Sequence, residues 1–199
     1  MIAESGEEKL TIVDKFGRRL SRRPILDVAR RYSRPAVLDV GCGHRAAILV
    51  ELAPTIARGV GIDRSVCKEA KRIANLEALE EEAEAALARL DPSSFDIVLM
   101  ISVLEHMWEP VSALAACHRV LRPGGSLVVN VPTWPGKAAL ELSAFRLGWS
   151  SAASIDDHKT YYSKRELWPQ MVRAGFRPSR IRMSYQKLGL NLFAVAVKM

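Results

Sequence analysis

The sequence predicts an α/β protein: a doubly wound, mostly parallel sheet with helices on both faces and an antiparallel hairpin at its C-terminal end. Short apolar runs (AVLDV, GVGID, FDIVLMI and SLVVNVP) alternate with helix-patterned stretches from residue 36 onward, the rhythm of a parallel sheet with crossover helices. The last two runs, IRMSYQ and LNLFAVAVK, alternate in polarity like the arms of a hairpin. With 199 residues, 49% of them apolar and 26% charged, the chain has the material for a packed core and is not disordered by composition.

Each element has its own warrant. Residues 9–31 read as one or two basic amphipathic helices, with Pro24 suited to open the second. AVLDV at 36–40 is a strand that runs into Gly41-Cys42-Gly43, and residues 46–53 continue as a helix stopped by Pro54. GVGID at 59–63 is the second strand, followed by a helix over 66–74. Residues 75–90, NLEALEEEAEAALARL, favour a helix by composition, yet the alternation asks for a third strand there. FDIVLMI at 95–101 is the fourth strand, 109–121 a helix closed by RPGG, and SLVVNVP at 126–132 the fifth strand. Residues 137–149 are helix-patterned, and SKRELWPQMVRAGF has a serine cap, a helix and an exit at Gly175. The division is an N-terminal helical cover over 1–33 and the sheet domain over 34–199.

Composition narrows the function. The longest apolar stretch, IVLMISVL at 97–104, is too short to span a bilayer, and the acidic opening MIAESGEEKL is no secretory signal. Cys42, Cys67 and Cys117 are scattered and odd in number, which argues against a disulfide framework and a metal site. A soluble, cytoplasmic protein is expected. The net charge of +7 sits on the flanks: nine Lys/Arg face five Asp/Glu in 1–35 and thirteen face six in 101–199, around a middle with seven against eleven. Such flanks suit an anionic partner, whether a phosphorylated small molecule, a lipid headgroup or a nucleic acid, and equally suit plain solubility.

In a sheet of this kind ligands bind outside the carboxyl ends of the strands. There, Gly41 and Gly43 permit a sharp turn with close backbone approach, and the following helix offers free N–H groups. Asp63, twenty residues after Gly43, closes the second strand where ribose hydroxyls are held. Gly41, Gly43 and Ala46 also satisfy a dinucleotide-binding pattern. Asp39 tips the balance, because a carboxylate two residues before the first glycine repels a diphosphate and suits an ammonium group. A cofactor with an adenosine end and a cationic amino-acid end fits both acids, and S-adenosyl-L-methionine is such a cofactor.

The strings VLDVGCGHR, GVGIDRS, SFDIVLMISVLEHM and RVLRPGGSLVVNVPT, in this order and spacing, resemble the class I S-adenosylmethionine-dependent methyltransferases. The ending, DHKTYYSKRELWPQMVRAGF through GLNLFAVAVK, is similar to a subgroup of small bacterial and archaeal members, some among glycan or lipid biosynthesis functions. The resemblance spans about residues 34–199 and implies a Rossmann-like seven-stranded sheet, with S-adenosyl-L-homocysteine as product. It implies that Asp39, Gly41 and Gly43 face the methionine part, with Cys42 a small filler of the same turn. Asp63 would hold the ribose and Arg64 lie along the adenine. The acid that binds the adenine amino group falls on Glu82, in Glu81-Glu82-Ala83, which favours strand NLEAL and then a loop over one continuous helix. Ser102 lines the pocket by position. Arg45 stands where many relatives have a third glycine, and Glu82 replaces a commoner Asp.

For the methyl acceptor the candidates are titratable groups near the ends of strands four and five. His106 in SVLEHM is a base or a positioning donor, or else a structural histidine bonded to the backbone or Glu105. His158, in the long connection after strand five, is expected to contact substrate, with Tyr161 or Tyr162 as an aromatic wall or hydroxyl and Asp156 or Asp157 orienting the ring. Trp134-Pro135 and the 137–149 helix are lid candidates, and His118 is the weakest histidine. No Asn/Asp-Pro-Pro-Tyr string and no Pro-Cys pair is present, and the basic stretch 164–187 lacks interleaved aromatics, so nucleic acid is disfavoured. The expected function is methyl transfer to a small molecule or a glycan or lipid precursor, O-methylation before N-methylation, with peripheral membrane contact through 9–31 or 137–149 left open. A non-catalytic relative working through a partner is the alternative, and a nicotinamide-dependent reductase a more distant one.

Overall fold

The computed structural model describes residues 22–139 and 159–199. Seven strands form one sheet in the order β3-β2-β1-β4-β5-β7-β6, where β1 is Ala36–Val40, β2 Arg58–Asp63, β3 Leu76–Glu80, β4 Phe95–Ile101, β5 Leu121–Pro132, β6 Ile181–Gln186 and β7 Asn191–Val197. The first five strands pair in parallel, and β7 lies antiparallel between β5 and β6. The chain therefore winds outward from β1 in one direction and from β4 in the other, leaving a crevice between their carboxyl ends.

Alternate residues of the central strands feed two separate cores. Val37, Ile97, Leu99, Val128 and Phe193 point to one side, against Ile25 and Val28 of α1 (22–29) and Leu49 and Leu52 of α2 (Ala47–Leu52). Leu38, Val40, Val98, Met100, Leu127 and Val129 point to the other. There they meet α4 (Ala83–Arg89), α5 (Pro110–Val120) and α7 (Lys164–Arg173) through Leu87, Leu114 and Leu167. Burial on both faces explains why these strands read as unbroken apolar runs. Two further helical pieces, α3 (Lys68–Lys71) and α6 (134–139), complete the described elements.

Several boundaries differ from the sequence reading. The helix expected over 66–74 contracts to the four residues of α3, because the chain must turn back at once to pair Leu76 with Gly59. The contested stretch divides as spacing demanded: LEALE is strand β3 and α4 starts at Ala83. Pairing with β2 overrides helix propensity there. Strand β5 starts at Leu121 rather than 126, with RPGG as an irregular excursion: Phe95 pairs Leu121, but Ile97 already pairs Ser126. The capping signal in SKRELWPQ is realised, the Glu166 carboxylate accepting the Ser163 N–H at 2.6 Å. Most of the expected helical cover over 1–33, and of the helix over 137–149, lies outside the described residues.

Arg119 shows how the second core is closed. Its guanidinium donates to the carbonyls of Leu90 and Leu87, each at 2.7 Å, satisfying the C-terminal end of α4. Arg119→Met keeps the bulk and removes both charge-assisted bonds. Denaturant unfolding should show a loss of about 1–3 kcal/mol with an unchanged m-value.

Candidate active site

The next-to-last residue of strand β1 is a carboxylate with nowhere to go. Asp39 is 1% exposed, and neither carboxyl oxygen has a hydrogen-bond partner. Burial, with the neighbouring charge of Asp63, pushes its pKa up to about 8. A partnerless buried carboxyl is costly, so its presence points to a ligand group that completes it.

The turn above it is built around two left-handed glycines. Gly41 and Gly43 have φ of +71° and +72°, and the N–H groups of Gly41 and Cys42 both donate to the Ile62 carbonyl, at 2.8 and 3.0 Å. A Cβ on Gly41 would lie 2.5 Å from Val103 Cγ2, whereas a Cβ on Gly43 would meet nothing within 4 Å. The first glycine thus lets the turn press against the loop after β4, and the second leaves open space over the crevice. Cys42 is a packing group: its sulfur sits 2.8 Å from where a Gly61 Cβ would be, and burial raises its thiol pKa to about 12. Arg45 brings no left-handed strain, since that conformation falls on Ala46 at φ +42°.

Asp63 ends β2 beside this turn, its carboxylate accepting the Gly43 N–H at 2.8 Å. The β3–α4 turn is hung on it, with the Glu81 N–H donating to the Asp63 carbonyl at 3.1 Å. Glu82 immediately precedes α4, makes no side-chain capping bond to it, and pairs with Arg64 at 3.0 Å, both side chains well exposed. Ala83 begins that helix. Ser102, exposed with φ +56°, closes β4 on the other side of the crevice and donates its N–H to the Asn130 carbonyl at 2.8 Å. The cofactor candidates named from sequence therefore converge on one edge of the sheet. The orphaned Asp39, the open face over Gly43 and the acid at Asp63 fit a ligand with a cationic end and a hydroxylated end.

The acceptor side is formed by the 3₁₀ turn Leu104–His106 and the segment after β5. His106 is half-buried at the end of that turn, and His158 lies outside the described residues. Tyr162 corrects an expectation. It is wholly buried in the second core, with its hydroxyl 3.5 Å from the Leu104 carbonyl and its pKa raised by that burial. Its own N–H is tied to the Pro132 carbonyl at 3.0 Å, so the residue packs beneath the end of β5 instead of forming a substrate wall. At the rim, Trp134 is half-exposed, its indole N–H pointing to Glu166 at 3.2 Å and its ring 5.6 Å from that of Tyr161. His118 packs edge-on against Phe176 at 4.8 Å, away from the crevice.

Glu105 escaped the sequence reading except as a bonding partner for His106. It is 1% exposed with a partnerless Oε2, and burial raises its pKa to about 8. Its carbonyl accepts the N–H groups of Lys159 and Thr160, at 2.7 and 3.2 Å. The signal available was a lone acid between Leu104 and Met107 in an otherwise apolar string. Among the described residues no cluster of ligands suited to a metal ion occurs.

Comparison with known proteins meets this geometry. A methyltransferase-domain family matches residues 38–129, from β1 through most of β5. A ubiquinone biosynthesis O-methyltransferase of Ralstonia nicotianae is 42% identical over 157 residues, covering 73% of this chain and 64% of the relative. Residues 38–129 are thus similar to a methyltransferase domain, and the chain as a whole is similar to ubiquinone biosynthesis O-methyltransferases. A second such methyltransferase, from Alkalilimnicola ehrlichii, is 42% identical over 103 residues, or 47% of this chain and 40% of the relative. The chain spans less than two thirds of the length of either curated relative. The fold matches the Burkholderia thailandensis 1,6-didemethyltoxoflavin-N1-methyltransferase, solved with S-adenosylhomocysteine, at TM-score 0.66 and 18% identity over 94% of this chain and 81% of that one. The buried, partnerless Asp39 of this chain suits the ammonium end of a ligand such as the S-adenosylhomocysteine held by that neighbour.

The raised Asp39 pKa fixes a pH dependence. Without ligand the carboxyl is largely neutral below about pH 8, and an ammonium group favours the ionised form, so binding releases a proton. Affinity for S-adenosylhomocysteine should climb by up to about tenfold per pH unit between about pH 6 and pH 8 and then level off. Asp39→Asn should bind weakly with no such slope. In the ligand-free protein the folded pKa lies above the unfolded value of 3.8, so Asp39 costs stability as pH rises towards 8. Asp39→Asn should therefore melt higher than the parent at alkaline pH.

Proposed function

We propose that this protein methylates an oxygen of a small, anionic acceptor, free or carried on a lipid or glycan precursor. The observation that carries the reading is the buried, partnerless Asp39 beneath an open glycine turn with Asp63 alongside. Oxygen as the target is supported by the names of the two curated relatives, both O-methyltransferases. An anionic acceptor is supported by the lysines on the acceptor side: Lys159 lies 4.9 Å over the Trp108 ring and Lys137 5.7 Å from that of Tyr161.

Bound S-adenosylmethionine supplies a methyl group already activated on a sulfonium, so the chain's work is alignment, water exclusion and, for a hydroxyl acceptor, proton removal. In this reading Asp39 holds the amino-acid end, Gly41 and Gly43 give it backbone approach, and Asp63 takes the ribose. Arg64, Glu82 and Ala83 flank the base, with Ser102 and Cys42 completing the walls. His106, at the end of the turn after β4, accepts the hydroxyl proton, with His158 a second candidate from the sequence. Orientation of the two reactants supplies the larger part of the rate, about 7–11 kcal/mol in favourable cases.

The test is transfer from isotope-labelled S-adenosylmethionine to a panel of phenols and sugar or lipid alcohols, with and without a carboxylate or phosphate. Methyl ether formation that prefers the anionic member of each pair is expected, and methyl transfer to amines alone would overturn the assignment. With an accepted substrate, His106→Ala should lower kcat about 100- to 10,000-fold while cofactor affinity stays unchanged. Unchanged turnover would remove His106 as the base.

A further inference from the structure

The basic run 164–187 is not accounted for by the site above, and it ends on Lys187 in the turn that joins β6 to β7. Because β7 runs antiparallel to both β5 and β6, that turn lies at the edge where the carboxyl ends of the parallel strands open. It is bound to the segment after β5. The Thr133 N–H donates to the Leu190 carbonyl at 3.1 Å and the Thr133 hydroxyl to the Gly189 carbonyl at 2.6 Å. The approach is so close that a Cβ on Gly136 would collide with the Leu190 carbonyl oxygen. Lys187 is thereby brought to the acceptor side.

The turn holds an unfavourable conformation. Lys187, Leu188 and Gly189 have φ of +50°, +58° and +90°, so two residues with side chains occupy the left-handed region in succession. Such strain collects at ligand sites, where the surrounding structure enforces it. Lys187 is half-buried there. Burial lowers its pKa, and its ammonium makes no ion pair or hydrogen bond among the described residues. The neighbouring described elements supply no counter-charge, because residues 110–140 and 167–199 contain no Asp or Glu. The one carboxylate on α7, that of Glu166, is engaged by the Ser163 and Trp134 N–H groups. Lys137 and Lys159, by contrast, each stand over an aromatic ring. A half-buried cation without a counter-charge is the converse of Asp39, and a ligand of opposite sign completes it.

We propose that Lys187 binds the anionic oxygen group, carboxylate or phosphate, of the methyl acceptor and sets the preference for a charged substrate. The inference rests on the methyl transfer to a small anionic acceptor proposed above and adds the residue that reads the charge. The ammonium gives the anion a charge-assisted hydrogen bond, stronger for the partial shelter of the turn. The acceptor then lies across the ends of β4 and β5, its hydroxyl towards His106 and its anionic group towards the β6–β7 turn. In the sheet order β5 separates β4 from β7, a span of two strand spacings or about 10 Å. An acceptor whose anion is remote from its hydroxyl therefore fits, and one with the two on neighbouring atoms does not.

The test compares the parent with Lys187→Met and Lys187→Arg on three probes: hydroxyphenylpropionate, hydroxyphenylethyl phosphate and the uncharged amide of the first. Each is followed by methyl transfer and by binding to the full chain loaded with S-adenosylhomocysteine. The parent should favour an anionic probe over the amide, and the better of the two anions names the group. Lys187→Met should lose about tenfold to a hundredfold of that preference, through KM and binding more than kcat, and should handle the amide as the parent does. Lys187→Arg should retain most of the preference, and S-adenosylhomocysteine affinity should be equal in all three proteins. A preference unchanged in Lys187→Met overturns the assignment, as does an equal loss on anion and amide, which marks a merely structural role. A parent that binds anion and amide alike overturns it too. Anion binding that depends on Lys187, with no methyl transfer to the hydroxyl, upholds the assignment and instead counts against oxygen as the target.

Discussion

A carboxyl group placed at the centre of a sheet and given no partner is the constraint around which this fold is arranged. Asp39, next to last in β1, lies between Gly61 of β2 and Leu99 of β4 in register and is almost wholly buried. Protein interiors rarely leave such a group unsatisfied, because the desolvation cost is several times the worth of an ordinary hydrogen bond. The cost is tolerable here because the two windings of the sheet diverge at this strand and open a crevice directly above it. Everything near the crevice keeps that opening clear: left-handed glycines carry the backbone aside, Cys42 tucks under the turn, and Asp63 fixes the Gly43 N–H.

The same turn links the two halves of the site. Gly41 can press against Val103 only because it has no Cβ, and Val103 immediately precedes the 3₁₀ turn that ends in His106. The cofactor-side turn and the acceptor-side turn are therefore packed against each other. The acceptor side is in turn stitched by backbone bonds from Lys159 and Thr160 to the Glu105 carbonyl. Glu105 is a second buried acid, near enough to Tyr162 for its charge to help raise that hydroxyl's pKa.

The parallel sheet and its cofactor edge were legible because they depend on local patterns: apolar runs buried on both faces, a glycine turn, and acids at strand ends. Strand β3 was legible only from rhythm, since LEALE is helix-favouring and becomes a strand solely by pairing with β2. The boundaries of α3 and β5 escaped because tertiary pairing fixes them, not composition. The acceptor side was harder to read. Tyr162 is packed into the core by tertiary contacts, and no spacing rule encodes those. Glu105 was overlooked because burial, which gives it interest, is a property of the packed chain. The basic run 164–187 was visible in the sequence, and only the sheet order shows that it leads into the last of the described strands.

The central claim, that Asp39 waits for a cationic ligand group, is tested most directly by following its carboxyl carbon by NMR through a pH titration, with and without S-adenosylhomocysteine. The account predicts a midpoint near the raised value of about 8 in the free protein and a fall of several units on binding, as the ammonium group stabilises the carboxylate. An ordinary midpoint near the reference value of 3.8 in the free protein, unmoved by the ligand, would contradict it.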